Sequence, residues 1–219
     1  LVCALLGIIA LGLASSAVST LTFGTDEHAK LIALLSAALF QAKRPFAYTN
    51  DNGDFAQDGT QKNRGLELMA DGHVTHNLRL FGGATWLDPR LHDTKDASAD
   101  GKQVVGVPRF TASMLAVYSI EQLPGVDVDT NVRYVGRRAT DNANDSWVGS
   151  YTTVDAGASY ATRMYNTPVT FRLDVTNLTN RRYWTNVVPG ALTAYTGAGN
   201  ASAQLGAPRE AQLSMQIDF

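Results

Sequence analysis

Residues 210–219, EAQLSMQIDF, alternate strictly between polar and apolar side chains. A period of two predicts a β-strand with one face in apolar surroundings and the other face in a polar environment. The same alternation occurs in residues 126–134, VDVDTNVRY, and in residues 169–176, VTFRLDVT. These segments predict an all-β fold of about eight antiparallel strands. The other expected strands, with weaker alternation, lie near 34–48, 64–74, 77–87, 107–118 and 152–161.

The segments between these strands differ systematically in length. Short and long connections alternate along the chain, and the long ones are rich in Asp, Asn, Gly, Thr and Ser. Outer-membrane barrels have short periplasmic turns and long outer loops, and about ten residues of tilted strand cross the bilayer. The pattern therefore favours a transmembrane β-barrel over a soluble β-sandwich. The short connections lie near 72–76, 119–125 and 162–168, and the long ones near 49–62, 88–106, 137–150 and 178–207.

Aromatic residues fall near both ends of the expected strands. Tyr118, Tyr160 and Phe219 end strands on the short-turn side. A second group flanks the long loops, as expected of two aromatic girdles at the membrane surfaces. The residues of this second group are Trp86, Tyr134, Tyr151, Tyr183 and Trp184.

The polar faces of the expected strands carry ionised side chains. A charge that faced lipid near the bilayer midplane would cost a few kcal/mol, so these side chains are predicted to face the lumen. Opposite charges such as Arg133, Asp155 and Arg172 are candidates for cross-strand pairs. The full set is Glu67, Arg79, Asp127, Asp129, Arg133, Asp155, Arg172 and Asp174.

Residues 1–30 differ from the rest, because residues 1–25 carry no charge and show no alternation. We expect either an export signal, an apolar helix long enough to span a membrane, or a segment foreign to the remainder. Residues 31–219 are expected to form the barrel part. The single cysteine, Cys3, excludes an internal disulfide framework.

The composition argues against several other functions. A net charge of −2 gives no general attraction to nucleic acid. The sequence contains no P-loop, zinc motif or nucleophile elbow, and we expect neither an enzyme nor a bound cofactor or metal. His73 and His76 lie close together at a short turn, but only Asp71 accompanies them.

Four segments, in the same order, resemble the C-terminal part of TonB-dependent outer-membrane receptors, most closely the ferric-siderophore branch. Residues 63–68, NRGLEL, resemble one family strand, and residues 106–109, GVPR, resemble the start of another. Residues 174–184, DVTNLTNRRYW, resemble the family's NLFDxxYW segment, with Thr179 where Phe is usual. Residues 206–209, GAPR, and the strand that ends at Phe219 resemble its closing strand.

The resemblance implies a bacterial outer-membrane location and a parent protein that imports ferric siderophores. The family has twenty-two strands, a plug domain and a segment that contacts TonB, and the expected eight strands correspond to about the last third. Contact with TonB would therefore require the N-terminal part of a receptor. Lipid and the outer-membrane assembly machinery are the other implied partners, the latter reading Phe219. The alternatives are a self-closed eight-stranded barrel with a passive role, a soluble sandwich or a barrel enzyme.

Ligand contacts are expected on the outer loops and in the upper lumen. Aromatic and basic side chains at these places suit an anionic ferric chelate. The candidate ligand-binding residues are Arg137, Arg138, Trp147, Tyr183, Trp184 and Tyr195.

Overall fold

The computed structural model describes residues 16–23, 31–49, 52, 54–95, 97–188 and 202–218. All secondary-structure elements in these ranges are β-strands. None of the ranges contains a helix able to cross a membrane. The strands of the first half are β1 Ser16–Phe23, β2 Leu31–Thr49, β3 Phe55–His73, β4 Leu78–His92, β5 Phe110–Ser119 and β6 Val126–Val135. Those of the second half are β7 Arg138–Ala139, β8 Trp147–Val148, β9 Tyr151–Met164, β10 Thr167–Thr176, β11 Trp184–Val188, β12 Ser202–Leu205 and β13 Glu210–Ile217.

Nine of these strands form one antiparallel sheet in the order β1-β2-β3-β4-β5-β6-β9-β10-β13. The short strands form two separate hairpins, β7 with β8 and β11 with β12. The predicted all-β antiparallel fold is confirmed. The sheet of the described residues has one strand more than the eight expected, because β1 pairs along its whole length with β2.

Strand β1 lies within residues 1–30, the segment that we expected to differ from the barrel. Its sequence, SAVSTLTF, is small or apolar on both faces, so its period could not distinguish a strand from an apolar helix. Residues 1–15 and 24–30, including Cys3, lie outside the described residues. The expectation of a signal-like or foreign segment over residues 1–30 stays a prediction.

The register separates two faces along the whole sheet. One row runs through Leu39, Leu66 and Trp86, and this outer face carries apolar side chains. Leu213 on β13 belongs to it and is 77% exposed. Glu67 and Asp129 lie on the opposite, inner face, as predicted for a lumen.

Aromatic rings mark the outer face near the long loops. Trp86 and Phe110 lie opposite each other, with ring centroids 4.8 Å apart, and Phe110 lies 5.8 Å from Tyr134. We call these three residues the upper belt. Tyr151, which we expected in this girdle, instead lies on the inner face and is buried. Thr152 is the residue that lies opposite Tyr134 on the outer face, so its neighbour Tyr151 points to the inner face.

The inner-face charges pair differently from the expected combination. Arg172 contacts Asp129 at 3.0 Å and Asp174 at 2.7 Å. Asp155 instead accepts hydrogen bonds from the side chain of Asn131 and the backbone N–H of Asn177. Arg172 therefore does take part in a cross-strand ion pair, but with Asp129 as its partner.

One group of buried apolar side chains lies where a long loop packs on the sheet. Residues 97–109 fold back on the long-loop end of β4, where Leu91, Ala99 and Val104 pack with Phe46 and Val107. This cluster gives the loop a hydrophobic core of its own. The loop thereby becomes an ordered part of the surface above the sheet.

Candidate functional site

A cavity of about 660 Å³ lies on the inner face near the long-loop end. Its polar lining combines two guanidinium groups, one carboxylate, five hydroxyls and one side-chain amide. These groups suit a polar ligand that bears negative charge or many oxygen atoms. The polar lining residues are Glu67, Thr85, Thr111, Ser113, Arg133, Arg138, Tyr151, Thr185 and Asn186.

The sheet register brings the floor of this cavity together. Glu67 on β3 lies opposite Thr85 on β4, which in turn lies opposite Thr111 on β5. Ser113 lies opposite Arg133 on β6. All five residues lie on the inner face, so the register and the two-residue period fix the position of the floor.

Strand β11 supplies the other wall, and Arg138 connects it to the sheet. The Arg138 side chain is 3% exposed. Its guanidinium donates to the backbone carbonyls of Trp184 and Thr185, the latter at 3.1 Å. The forked guanidinium thereby attaches two successive residues of β11 to Arg138.

Gly106 allows a second close approach to β11. It has φ +75°, and a Cβ at this position would overlap the carbonyl oxygen of Val187. Val187 itself is buried. A glycine is therefore required both for the backbone conformation and for the space between the two segments.

Tyr151, which lines the cavity, is stacked on a second phenol. The rings of Tyr151 and Tyr183 lie 4.3 Å apart. Burial raises the pKa of Tyr183 above its usual value, and the nearby Tyr151 and Asp155 add to the effect, while Arg133 opposes it. Tyr183 therefore stays a neutral hydrogen-bonding phenol at physiological pH.

Asn177 organises the segment that leads into β11. Its side chain is buried, accepts from the N–H of Arg181 at 2.8 Å and donates to the carbonyls of Arg181 and Ala207. Its own N–H donates to Asp155 at 2.8 Å. This residue belongs to the sequence segment 174–184, and it fixes the path of the chain there.

The six predicted ligand residues fall into separate groups. Arg138 lines the cavity, Tyr183 stacks on a lining residue, and Trp184 contributes a backbone carbonyl to the Arg138 contact. Arg137 instead lies 4.5 Å from the ring of Trp147, and it lines an outward groove. A ligand role for these residues stays a prediction.

Two predicted residues cannot be placed. Tyr195, a ligand candidate, and Phe219, the expected assembly signal, both lie outside the described residues. Their roles also stay predictions.

Some lining residues were not among the predicted ligand contacts. Glu67 and Arg133 were expected only as lumen charges, although their position on the inner face already pointed to this region. Thr185 and Asn186 carried no signal in the sequence, because their place depends on how β11 folds back. In the described ranges, no group of three or more His, Cys, Asp or Glu side chains is arranged to hold a metal ion.

The chain is similar to known bacterial receptors. It is 32% identical over 186 residues to the ferrichrome receptor FcuA of Yersinia enterocolitica, an alignment that covers 83% of this chain and 23% of that protein. It is 29% identical to the metal-pseudopaline receptor CntO of Pseudomonas aeruginosa, with 84% of this chain and 25% of that protein covered. The chain thus spans about a quarter of the length of these curated relatives.

Solved structures agree with this similarity. The ferric preacinetobactin receptor BauA of Acinetobacter baumannii superposes with a TM-score of 0.68 at 33% identity, over 86% of this chain and 27% of that one. The siderophore receptor PiuA of the same species also gives 0.68, at 25% identity, over 91% of this chain and 27% of that one. Residues 18–178 match the family described as "TonB dependent receptor-like, beta-barrel". The chain therefore belongs to the TonB-dependent receptor β-barrel family of the bacterial outer membrane.

Proposed function

We propose that this chain is the C-terminal barrel part of a receptor that imports ferric siderophores across the outer membrane. The observation that carries the proposal is the polar inner-face cavity beneath β11, which combines Arg133 and Arg138 with hydroxyl and amide groups. Relatives named as receptors for ferrichrome and ferric preacinetobactin support the ligand class. The role is binding and passage of a ligand, without catalysis or a resident cofactor.

The size and donors of the cavity suit a chelate. Ligand sites for small molecules commonly enclose about 300–1,000 Å³, and this cavity has about 660 Å³. Guanidinium groups bind oxygen anions with charge-assisted hydrogen bonds. In the described part of the chain the buried Nε of Arg138 has no hydrogen-bond partner, which leaves a donor for a bound oxygen.

The edges of the sheet support a larger barrel rather than a self-closed small one. Among the described residues, β1 pairs with β2 and β13 pairs with β10, so each edge strand has one neighbour. An open edge in lipid leaves backbone N–H and C=O groups unpaired, at several kcal/mol each. We infer that further strands of the receptor pair with β1 and β13.

The partners follow from this assignment. The outer face contacts lipid, and the outer-membrane assembly machinery recognises the end of the barrel through Phe219. Energy reaches the receptor through TonB, by way of segments other than the strands described above.

A chimera tests the proposal. The matching stretch of the Yersinia ferrichrome receptor is replaced by residues 16–219 of this chain, which include β11 and the whole cavity lining. Radioactive iron uptake is then measured with ferrichrome, ferrioxamine B and ferric preacinetobactin. We expect TonB-dependent uptake of at least one chelate. Arg133→Gln should lower its affinity roughly tenfold or more, because a hydrogen bond to a charged group contributes about 1.5–3 kcal/mol.

Arg163→Gln is the matched control. Arg163 is an exposed arginine on β9, in the same sheet as Arg133 but at its short-turn end. The substitution removes the same charge far from the cavity and should leave uptake unchanged. A chimera that reaches the membrane but takes up none of the three chelates would count against the proposal. So would equal effects of the two substitutions.

A further inference from the structure

One asparagine connects two long loops near the inner-face cavity. Asn144 lies between β7 and β8, and its side-chain oxygen accepts a hydrogen bond from the backbone N–H of Gln103 at 2.7 Å. Its side-chain nitrogen donates to the carbonyl of the same Gln103 at 2.9 Å. The amide therefore pairs with both backbone groups of one residue, as a neighbouring strand would. We call these two contacts the Asn144 clamp.

Gln103 is a buried residue that joins three segments of the chain. It is 5% exposed, and it pairs with Arg90 of β4 in an isolated antiparallel bridge. Its side chain donates to the carbonyl of Val107 at 2.7 Å and so closes the turn between them. Removal of the Asn144 side chain would take the clamp from its N–H and its C=O together. Because buried backbone groups are costly without a hydrogen bond, the loop would have to shift.

The turn around Asn144 holds its side chain in place for the clamp. Asn144 has φ +63°, a conformation that asparagine adopts more readily than most residues. Its side chain also donates to the carbonyl of Asp141 at 3.1 Å, and its own carbonyl accepts from the indole N–H of Trp147 at 2.8 Å. The carboxylate of Asp141 accepts from the N–H groups of Asp145 and Ser146 at 2.9 and 2.7 Å. The clamp therefore forms with little further loss of conformational freedom.

The clamp joins the two segments that supply one wall of the cavity. The loop 97–109 contributes Gly106 and Pro108 to the lining, and β7 contributes Arg138. The N–H of Gly106 also donates to the carbonyl of Ala139, the neighbour of Arg138, at 3.0 Å. Asn144 is not among the described residues that line this cavity. Its influence on a ligand must therefore pass through the wall that it supports.

We propose that Asn144 is a positioning residue for the ligand cavity. By fixing the loop 97–109 to the β7–β8 hairpin, it holds Gly106 and Arg138 at the spacing that lets β11 dock and a chelate bind. This inference rests on the function proposed above for the cavity. A cavity whose walls are already ordered binds more tightly, because the ligand does not have to select a rare arrangement of the loops.

The test uses the chimeric receptor that carries residues 16–219 of this chain, and the dependence of iron uptake on chelate concentration. The probes are ferrichrome, ferrioxamine B and ferric preacinetobactin. Asn144→Gly keeps the positive φ and removes the clamp. We expect the half-saturating concentration to rise about tenfold, as when the ordered loops fall to about a tenth of the population, and the maximal rate per receptor to stay the same. Asn144→Asp has the same shape but lacks the donor, and it should act in the same direction.

A second substitution identifies the path of the effect. If Asn144 acts through Arg138, then Asn144→Gly should raise the half-saturating concentration much less in an Arg138→Gln receptor than in the original one. Asn166→Gly is the control, because Asn166 also has a positive φ, of +67°, but lies in the short turn between β9 and β10. It should change neither the half-saturating concentration nor the maximal rate.

The outcomes separate this inference from the function on which it rests. No change in half-saturating concentration with Asn144→Gly, while Arg138→Gln raises it, would refute the positioning role and leave the cavity as the ligand site. Full additivity of the two substitutions would refute it as well. No effect of Arg138→Gln itself would count against the cavity and against both proposals.

Discussion

The carboxylate of Asp129 on β6 and the guanidinium of Arg172 on β10 meet at 3.0 Å across the strand that separates them. That strand is β9. Its Gly157 lies directly opposite Asp129 of β6 on one side and directly opposite Asp174 of β10 on the other side. A glycine has no side chain on the inner face, so the two charged groups can approach each other over it. The pair therefore depends on a third residue that carries no charge.

Gly157→Ala should weaken this pair and the sheet around it. A Cβ at Gly157 would lie 2.7 Å from Asp129 Oδ1 and 2.9 Å from an Arg172 nitrogen, so the side chains must move. We expect a loss of about 1–3 kcal/mol in the free energy of unfolding, as for other overpacked positions. Urea unfolding in detergent of the chimeric receptor that carries this chain measures it.

Gly149→Ala is the control, because a Cβ there meets nothing within 4 Å. It should change the free energy of unfolding by less than about 0.5 kcal/mol. Equal effects of the two alanines would show that Gly157 has no special role in the ion pair.

The sequence predicted most strands of the sheet, because a period of two marks them to different degrees. Once Val132 is assigned to the outer face, Arg133 must face inward, and the inner-face charges follow without knowledge of the partners. The rule does not extend to Arg137 and Arg138. A period continued from Arg133 would turn Arg137 inward, but β6 ends at Val135, Arg137 lines the outward groove and Arg138 lines the cavity. The rule did not reveal β1, whose two faces are alike.

The fold of the loops could not be read in this way. The position of β11 depends on single tertiary contacts, such as Gly106 with Val187 and Arg138 with two carbonyls. No local pattern in residues 184–188 encodes these contacts. Three of the nine polar residues of the cavity lining, Arg138, Thr185 and Asn186, depend on this region.

Gly106→Ala should release β11 from the loop that precedes β5. The substitution adds a Cβ that overlaps the Val187 carbonyl and also strains the positive φ. We expect trypsin to cleave after Arg181 and Arg182 at least tenfold faster, while the unfolding of the main sheet changes little. A time course of limited proteolysis measures the cleavage.

Gly101→Ala separates the overlap from the strain. Gly101 has a similar φ of +71°, but a Cβ there meets nothing within 4 Å. It should cost only about 1 kcal/mol locally and leave cleavage after Arg182 unchanged. If both alanines speed cleavage equally, then the contact with Val187 does not hold β11.

Arg138→Lys should also loosen β11, although the positive charge is retained. A lysine cannot reproduce the forked contact with the carbonyls of Trp184 and Thr185. A hydrogen bond from a charged donor contributes about 1.5–3 kcal/mol, so hydrogen exchange of the Val187 and Val188 amides should accelerate about tenfold or more. Arg137→Lys changes the neighbouring exposed arginine and should leave this exchange rate as it was. Equal protection in both variants would contradict the proposed role of Arg138.

High pH should detach the same segment through Tyr183. Burial raises the pKa of its phenol above the usual value near 10.0, so the folded chain holds this proton longer than the unfolded chain does. The stability linked to Tyr183 is therefore complete below about pH 10 and is lost as pH rises through the folded-state pKa.

The absorbance of phenolate, compared between the original chain and Tyr183→Phe, should show a group that titrates above pH 10. Tyr165→Phe removes a fully exposed phenol and controls for the lost chromophore. A difference titration for Tyr183 centred at or below pH 10 would mean that its stacking on Tyr151 does not bury it in solution.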